Sequence, residues 1–390
     1  MICGSAGRRA LHRWYMGSAI LVLLSGCRGQ WPWHRRPTVD PKRAWTDARS
    51  TLLQAAADDS ALTRTNAIEA LGETLGQEAG TIFLGGLSDS HAAVRFAAAM
   101  VVGDLQYLPA KARLQQMAED RQAEPDRRVL CAVLYALHRL GDDRSTGELG
   151  RLLFDGEEEV RADAAMAMGK IGEPSAIGPL RTLLGDELNP KVRWQIRESL
   201  ALLGDVPSIV RLEAFARLPD PQLRLLAISA MARIRSDSAL PVLRGLALKR
   251  HPPRVRVAAA GTLARLGELD SDGYELCVES IRDPDGVLRR HRGRHTAIKP
   301  ADRSSLQQLA ARSLGWMGRA EALDVLHPAL GSADGPARVA AAMSILRLTW
   351  RAQPQAARKG ARQEDRPCDR SRRDRNGPKL HAAGGKDRRS

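Results

Sequence analysis

The chain has 390 residues, 43% of them hydrophobic but only 4% aromatic, and a net charge of +15 from 60 basic and 45 acidic side chains. Such a length supports a large core, but so few aromatics argue against a base-stacking nucleic-acid platform. The charge sits at the edges: residues 1–27 carry +3, 28–50 carry +4, 285–303 carry +4 and 351–390 carry +8, which leaves about −4 for the rest. No HExxH, GxSxG, Walker loop or dinucleotide fingerprint occurs, so the sequence points to no catalytic residue, cofactor or small-molecule substrate.

At the N-terminus, Arg8, Arg9 and Arg13 precede a short apolar run over residues 14–25. The run is shorter than the ~20 residues a membrane-spanning helix needs, so it reads as a targeting segment. It ends in Leu24-Ser25-Gly26-Cys27, which resembles the bacterial lipobox. That resemblance implies that residues 1–26 are a lipoprotein signal peptide and that the Cys27 sulfur receives a lipid. The chain would then be anchored at a membrane of the cell envelope, facing the periplasm. Arg28 stands where an Asp would hold such a protein at the inner membrane, which favours the outer one. Arg8-Arg9-Ala10-Leu11 also resembles a degraded twin-arginine signal, and Cys27 on the bland reading merely ends a signal or tail anchor. Residues 27–50 then form a membrane-proximal tether. Its Trp31-Pro32-Trp33 beside Arg35 and Arg36 suits a lipid headgroup layer or a plain Pro-rich spacer.

A helix is expected at residues 45–57, entering the body as a cap. Beyond it a Val-Arg or Leu-Arg pair recurs at Val94-Arg95, Val160-Arg161, Val192-Arg193, Leu223-Arg224 and Val255-Arg256, with Arg128-Val129 as a reversed copy. Thr63-Arg64, Leu306 and Val339 mark further units, the last incomplete. The spacing of 31–35 residues is that of helical repeat arrays. Within residues 157–186, Val160, Ala164, Ala167, Met168 and Ile171 draw one apolar stripe, Gly172 closes the helix, and Ile177, Leu180, Leu183 and Leu184 draw a second. Gly103, Gly141, Gly204 and Gly267 are expected to close the other helices.

VRADAAMAMGKIG (160–172) and VRVAAAGTLARLG (255–267) resemble the short HEAT repeat of phycobiliprotein lyases, and the likeness runs over residues 51–350. It implies an all-α fold, a right-handed α-solenoid of stacked helical hairpins. About nine pairs would make a rod or arc roughly 80 Å long, which binds partners on its concave face. In such repeats a turn Asp and the next arginine bond across units. That favours a structural ladder of Arg95, Arg161, Arg193, Arg224 and Arg256 with Asp89, Asp155, Asp186 or Asn189, and Asp220 over a phosphate track.

The period is broken by residues 285–304, a basic insertion read as a polar loop. Its Arg289, Arg290, Arg292 and Arg294 are the candidate partner-binding residues. His291 and His295 stand four apart, but arginines surround them and no Cys or carboxylate completes a metal site. Cys131 and Cys277 fall on apolar helix faces as core residues, and no disulfide framework is present. Residues 351–390 are basic and are expected to form a disordered tail. The function expected is a non-catalytic, lipid-anchored scaffold for another envelope protein, the membrane being engaged through Cys27. A phycobilin lyase-type enzyme handling a tetrapyrrole, or a polyanion or nucleic-acid binder acting through the insertion and tail, are the alternatives.

Overall fold

The computed structural model describes residues 37–349, apart from residues 121, 123, 235–237, 269, 294 and 296. All of them belong to the unit Arg36–Ser390. They form α-helices and short 3-10 turns and, among the described residues, no strand. In chain order the helices are α1 (Pro41–Ala55), α2 (Ala61–Thr74), α3 (Gly80–Gly86), α4 (Ala92–Leu105), α5 (Lys111–Glu119), α6 (Arg127–Arg139), α7 (Ser145–Leu152), α8 (Glu158–Ile171), α9 (Ile177–Asp186) and α10 (Pro190–Leu202). They continue as α11 (Val206–Phe215), α12 (Pro221–Ile234), α13 (Ala239–Ala247), α14 (Pro253–Arg265), α15 (Ser271–Arg282), α16 (Pro284–Arg292), α17 (Pro300–Met317), α18 (Leu323–Leu326) and α19 (Gly335–Leu348).

The helix boundaries follow from local chemistry. Asp40, Ser60, Asp126, Asn189, Asp205 and Asp334 each accept a first-turn N–H at an N-cap. Gly172 leaves α8 at φ 81°, a conformation that costs glycine nothing. At α4 the same left-handed exit is made by Gln106 (φ 49°) and not by Gly103. Gly103 lies inside α4, where a Cβ would stand 2.7 Å from Tyr135 Cε1.

Helices α2, α4, α6, α8, α10, α12, α14, α17 and α19 pack in sequence, each on the next. The series then closes: α19 lies against α17 on one side and against α1 and α2 on the other. The solenoid is therefore a ring, with these helices inside and α1, α3, α5, α7, α9, α11, α13, α15 and α18 outside. The expected open arc is corrected here, and so is the capping role of the first helix: the last unit has only α19 among the described residues, and α1 packs on it as its second helix. The first helix starts at Pro41, inside the expected tether, because Asp40 caps it and Pro41 suits its first turn. The Asp324 carboxylate accepts from both the N–H and Oγ1 of Thr38 at 2.8 Å, and His327 Nε2 lies 2.8 Å from Asp47. Arg338 and Arg347 donate to Asp58 and Glu73 at 3.0 and 2.9 Å.

Curvature comes from a difference in side-chain size. Inner helices meet at small residues: a Cβ on Gly169 would lie 2.6 Å from Ser199 Cβ, and one on Gly315 would lie 2.8 Å from Ser344 Cβ. Between outer and inner helices the core holds Leu52, Phe83, Leu114, Leu149 and Leu180, all fully buried. Each pair is thus a wedge, narrow towards the inside.

The arginine ladder is present in part. Of the acids expected for it only Asp89 receives a ladder arginine, from Arg64, while Glu124 and Glu187 serve where Asp155, Asp186 or Asn189, and Asp220 were expected. Arg64, Arg95, Arg161, Arg193, Arg224 and Arg338 each hold the carbonyl six residues back, which shapes the turn before their helix. Arg64, Arg95 and Arg161 also grip the next turn's Asp89, Glu124 and Glu187 with two nitrogens each. The same carboxylates accept the N–H two residues on, from His91, Asp126 and Asn189. Asp58 does likewise, accepting from Ser60 N–H and from Arg338. Ring closure thus uses the bond that joins interior repeats.

The ladder lapses on one side. Arg193 makes only carbonyl bonds, Arg224 meets His251 Nδ1 at 3.3 Å, and Arg256 reaches only the Ala247 carbonyl. There the core is also divided, with separate apolar clusters around Ile228, Leu243 and Val255 and around Leu212 and Ala230. Between α10 and α12 the joint is Arg233 on Glu198, at 2.7 Å from Nε.

The insertion is corrected as well. Pro284–Arg292 is helical because Asp283 caps it through Gly286 N–H, Val287 and Leu288 are buried, and its basic last turn suits a helix C-terminus. Arg303, which opens α17 at the ladder position, pairs with Asp285 at 2.8 Å.

Two predictions follow from the packing. Arg161→Ala should cost about 3 kcal/mol, because it strands a buried Glu187 carboxylate. Arg338→Ala should cost only about 1 kcal/mol, since the Asp58 side chain is 28% exposed. Urea denaturation of both variants measures the contrast.

Acidification should act in two stages. Burial, then Arg224 and Arg250, hold the His251 imidazole below its ordinary 6.5, so the unfolded chain binds that proton first and stability starts to fall below about pH 6.5. Arg64 and Arg161 hold Asp89 and Glu187 below their ordinary 3.8 and 4.5, so their contribution is intact above about pH 4.5 and is lost beneath it. Thermal melts across pH should show both stages in the native chain and only the second in His251→Gln.

Candidate binding site on the inner wall

Nine residues are two and a half helical turns, so a side chain nine places after a ladder arginine faces the other way, into the ring. Counting from Arg64, Arg95, Arg161, Arg193, Arg224, Arg256, Arg303 and Arg338 gives Glu73, Asp104, Lys170, Leu202, Arg233, Arg265, Arg312 and Arg347. The fourth residue of α6 is Leu130, and nine further on stands Arg139. One row of charge therefore runs around the inside. It is acidic on α2 and α4 and basic on the four neighbours α12, α14, α17 and α19.

Contacts that skip helices show that these positions face a common space. Lys170 on α8 donates to Asp104 on α4 at 2.8 Å, passing α6, whose Tyr135 hydroxyl also donates to Asp104 at 2.5 Å. Glu69 on α2 feels the charges of Arg312 on α17 and Lys170 on α8. Glu69 is exposed to water, yet the protein mass around it desolvates the carboxyl and raises it above its ordinary range. The water contact keeps that effect modest.

On the basic side, Trp316 lies 36% exposed. The Arg347 guanidinium sits 3.8 Å and that of Arg265 5.0 Å from its ring centre, within cation–π range. Burial pulls the Arg347 guanidinium below its ordinary value, against the pull of Glu73, and it remains a cation. Beside Trp316 a cavity of about 360 Å³ opens between α12, α14 and α17. Its floor is apolar, with Leu225, Leu226, Ala258 and Leu309, and its cations are Arg254, Arg265 and Arg312. Among the described residues no Asp or Glu lines it.

The insertion arginines lie elsewhere. Arg289 is 3.7 Å from Asp285, Arg290 is 2.5 Å from Glu279, and Arg292 is 2.6 Å from Asp302. Arg294, like Cys27, falls outside the described residues. Arg290 and His291 border an outer groove of about 550 Å³ with Asp272, Glu275 and Glu279. Although larger, that groove carries both signs of charge in close pairs, so the inner wall is the better candidate. Among the described residues no group of three or more His, Cys, Asp and Glu is placed to hold a metal. Cys131 and Cys277 are fully buried, as expected, and burial pushes both thiols up, the second to about 12. Such thiols are inert as nucleophiles.

Sequence reasoning missed the charge row because it used the arginine anchors to find repeats and not to index the other face. The signal was available in the numbering alone.

The family comparison agrees with the helical repeats. The family model described as HEAT repeats matches residues 49–131, 122–201 and 209–294, and the chain belongs to the HEAT-repeat family. The helices that close the ring, α17 and α19, lie beyond the matched segments. Among solved structures, the complex of CpcE and CpcF of phycocyanin lyase from Nostoc sp. is similar at 17% identity, with a TM-score of 0.39, over 67% of this chain and 98% of that one. An engineered protein is similar at 16% identity, with a TM-score of 0.27, over 77% and 98%. No curated protein matches the chain.

Because Glu69 is raised, its ionised form opposes folding; the carboxyl favours the fold below its ordinary 4.5 and loses that contribution as pH rises through its folded value. Glu69→Gln should therefore raise the urea midpoint at pH 7 and leave it nearly unchanged at pH 4.

Proposed function

We propose that this protein is a HEAT-repeat scaffold tethered to a bacterial envelope membrane through a lipidated Cys27, where it binds another envelope protein without catalysing a reaction. The observation that carries the binding role is the inner charge row, which places a basic arc and an exposed Trp316 on one concave wall. Clustered arginine and tryptophan are the side chains that dominate protein interfaces. The lipobox-like Leu24-Ser25-Gly26-Cys27 supports the tether. Among the described residues no helix is long and apolar enough to cross a membrane, so attachment in this reading rests on the lipid.

The test is fractionation and gentle detergent capture of the tagged chain from its native membranes. The wild-type chain should take up labelled palmitate, sediment with membranes and retain one stoichiometric envelope protein, whereas Cys27→Ala should be unlabelled and soluble. A chain that stays membrane-bound after Cys27→Ala, or that carries a visible chromophore in place of a protein, contradicts the proposal.

A further inference from the structure

From the inner wall we infer a specific ligand chemistry: the cavity between α12, α14 and α17 is a binding site for an acidic peptide segment with apolar side chains, presented by the partner protein. The inference rests on the scaffold reading above and adds to it a place and a chemistry.

Three features select this ligand. Among the described residues the lining holds three arginines and no acid, with Arg254 already paired to Asp302 and Arg312 exposed, so the wall attracts an anionic occupant in preference to a cationic one. Its floor is hydrocarbon, with Leu226 46% exposed and Trp316 beside it, so a bare inorganic anion would leave that surface wet. Its volume of about 360 Å³ suits a few side chains. Arg254 and Arg265 are oriented by Asp302 and by the indole of Trp316, which fixes the cradle before a ligand arrives. Arg312 is exposed one turn before Trp316 and is positioned to take a carboxylate, its charge otherwise acting on Glu69. Glu73, Asp104 and Glu69 occupy the α2–α4 side, so an acidic segment is repelled there and drawn to the basic arc.

The experiment uses the full lipid-anchored chain in detergent micelles. Fluorescence anisotropy is recorded with a short fluorescein-labelled peptide of repeating Glu-Leu-Glu-Ala and with its Lys-for-Glu counterpart. The acidic peptide should bind, and binding should weaken as salt is raised. Arg312→Gln and Leu226→Asp should each weaken it about tenfold while the chain keeps a single cooperative thermal melt, since both side chains are exposed. No binding, equal binding of the basic peptide, or unaltered affinity in both variants would overturn the site. The two proposals fail separately. Capture of the native envelope partner undiminished by Arg312→Gln sinks the site and keeps the scaffold; acidic-peptide binding without any native partner does the reverse.

Discussion

The interaction on which the rest depends is the arginine at the fourth residue of an inner helix. With one nitrogen it holds carbonyls of its own turn, and with two others it holds the carboxylate of the next, as Arg95 does with Asp89, Ser90 and Glu124. The guanidinium suits this because its donors form a rigid planar fork. Each such bond fixes both the conformation of a turn and its distance from a neighbour. Repeated around the array, it sets a pitch; where Arg338 finds Asp58, the array has come round to its own beginning. Closure removes two exposed ends whose apolar faces would otherwise need caps.

Glycine and serine on the inner helices supply the complementary constraint. A ladder alone would permit a straight stack, but close inner contacts at Gly72, Gly169, Gly261 and Gly315 bring the inner axes nearer than the outer ones. At Gly169 two effects oppose each other. Alanine would gain up to about 1 kcal/mol in helix propensity, yet overpacking against Ser199 costs typically 1–3 kcal/mol, so the packing term wins. Between α10 and α12 both devices are missing and a charged pair, Glu198 with Arg233, takes their place. That side is the least firmly joined part of the ring, and it borders the basic cavity.

Much of the fold was legible in the residues. The repeat anchors, the turn at Gly172 and the buried places of Cys131 and Cys277 follow from periodicity and need no knowledge of distant contacts. Closure did not, because whether nine wedges complete a circle depends on small angles that no local pattern records. Arg338 and Asp58 are 280 residues apart, and nothing near either names the other. The insertion was misread for a different reason: its arginines suggested a solvated loop, whereas Val287, Leu288 and the Asp283 cap were enough to fold a helix. The inner charge row could have been counted out from the anchors, but its meaning required knowing that those positions share one enclosed space.

Closure is the central claim, and a distance between the two ends tests it most directly. Spin labels at Arg43 and Gly331, both exposed and flanking the Asp47–His327 contact, can be read by double electron–electron resonance in a chain with no other reactive thiol. A closed ring gives a single narrow distance of roughly 20 Å, as expected for labels on neighbouring helices. An open stack of nine pairs would separate the same labels by roughly 80 Å or spread them over a broad range. The first result is the one this structure predicts; the second would contradict it.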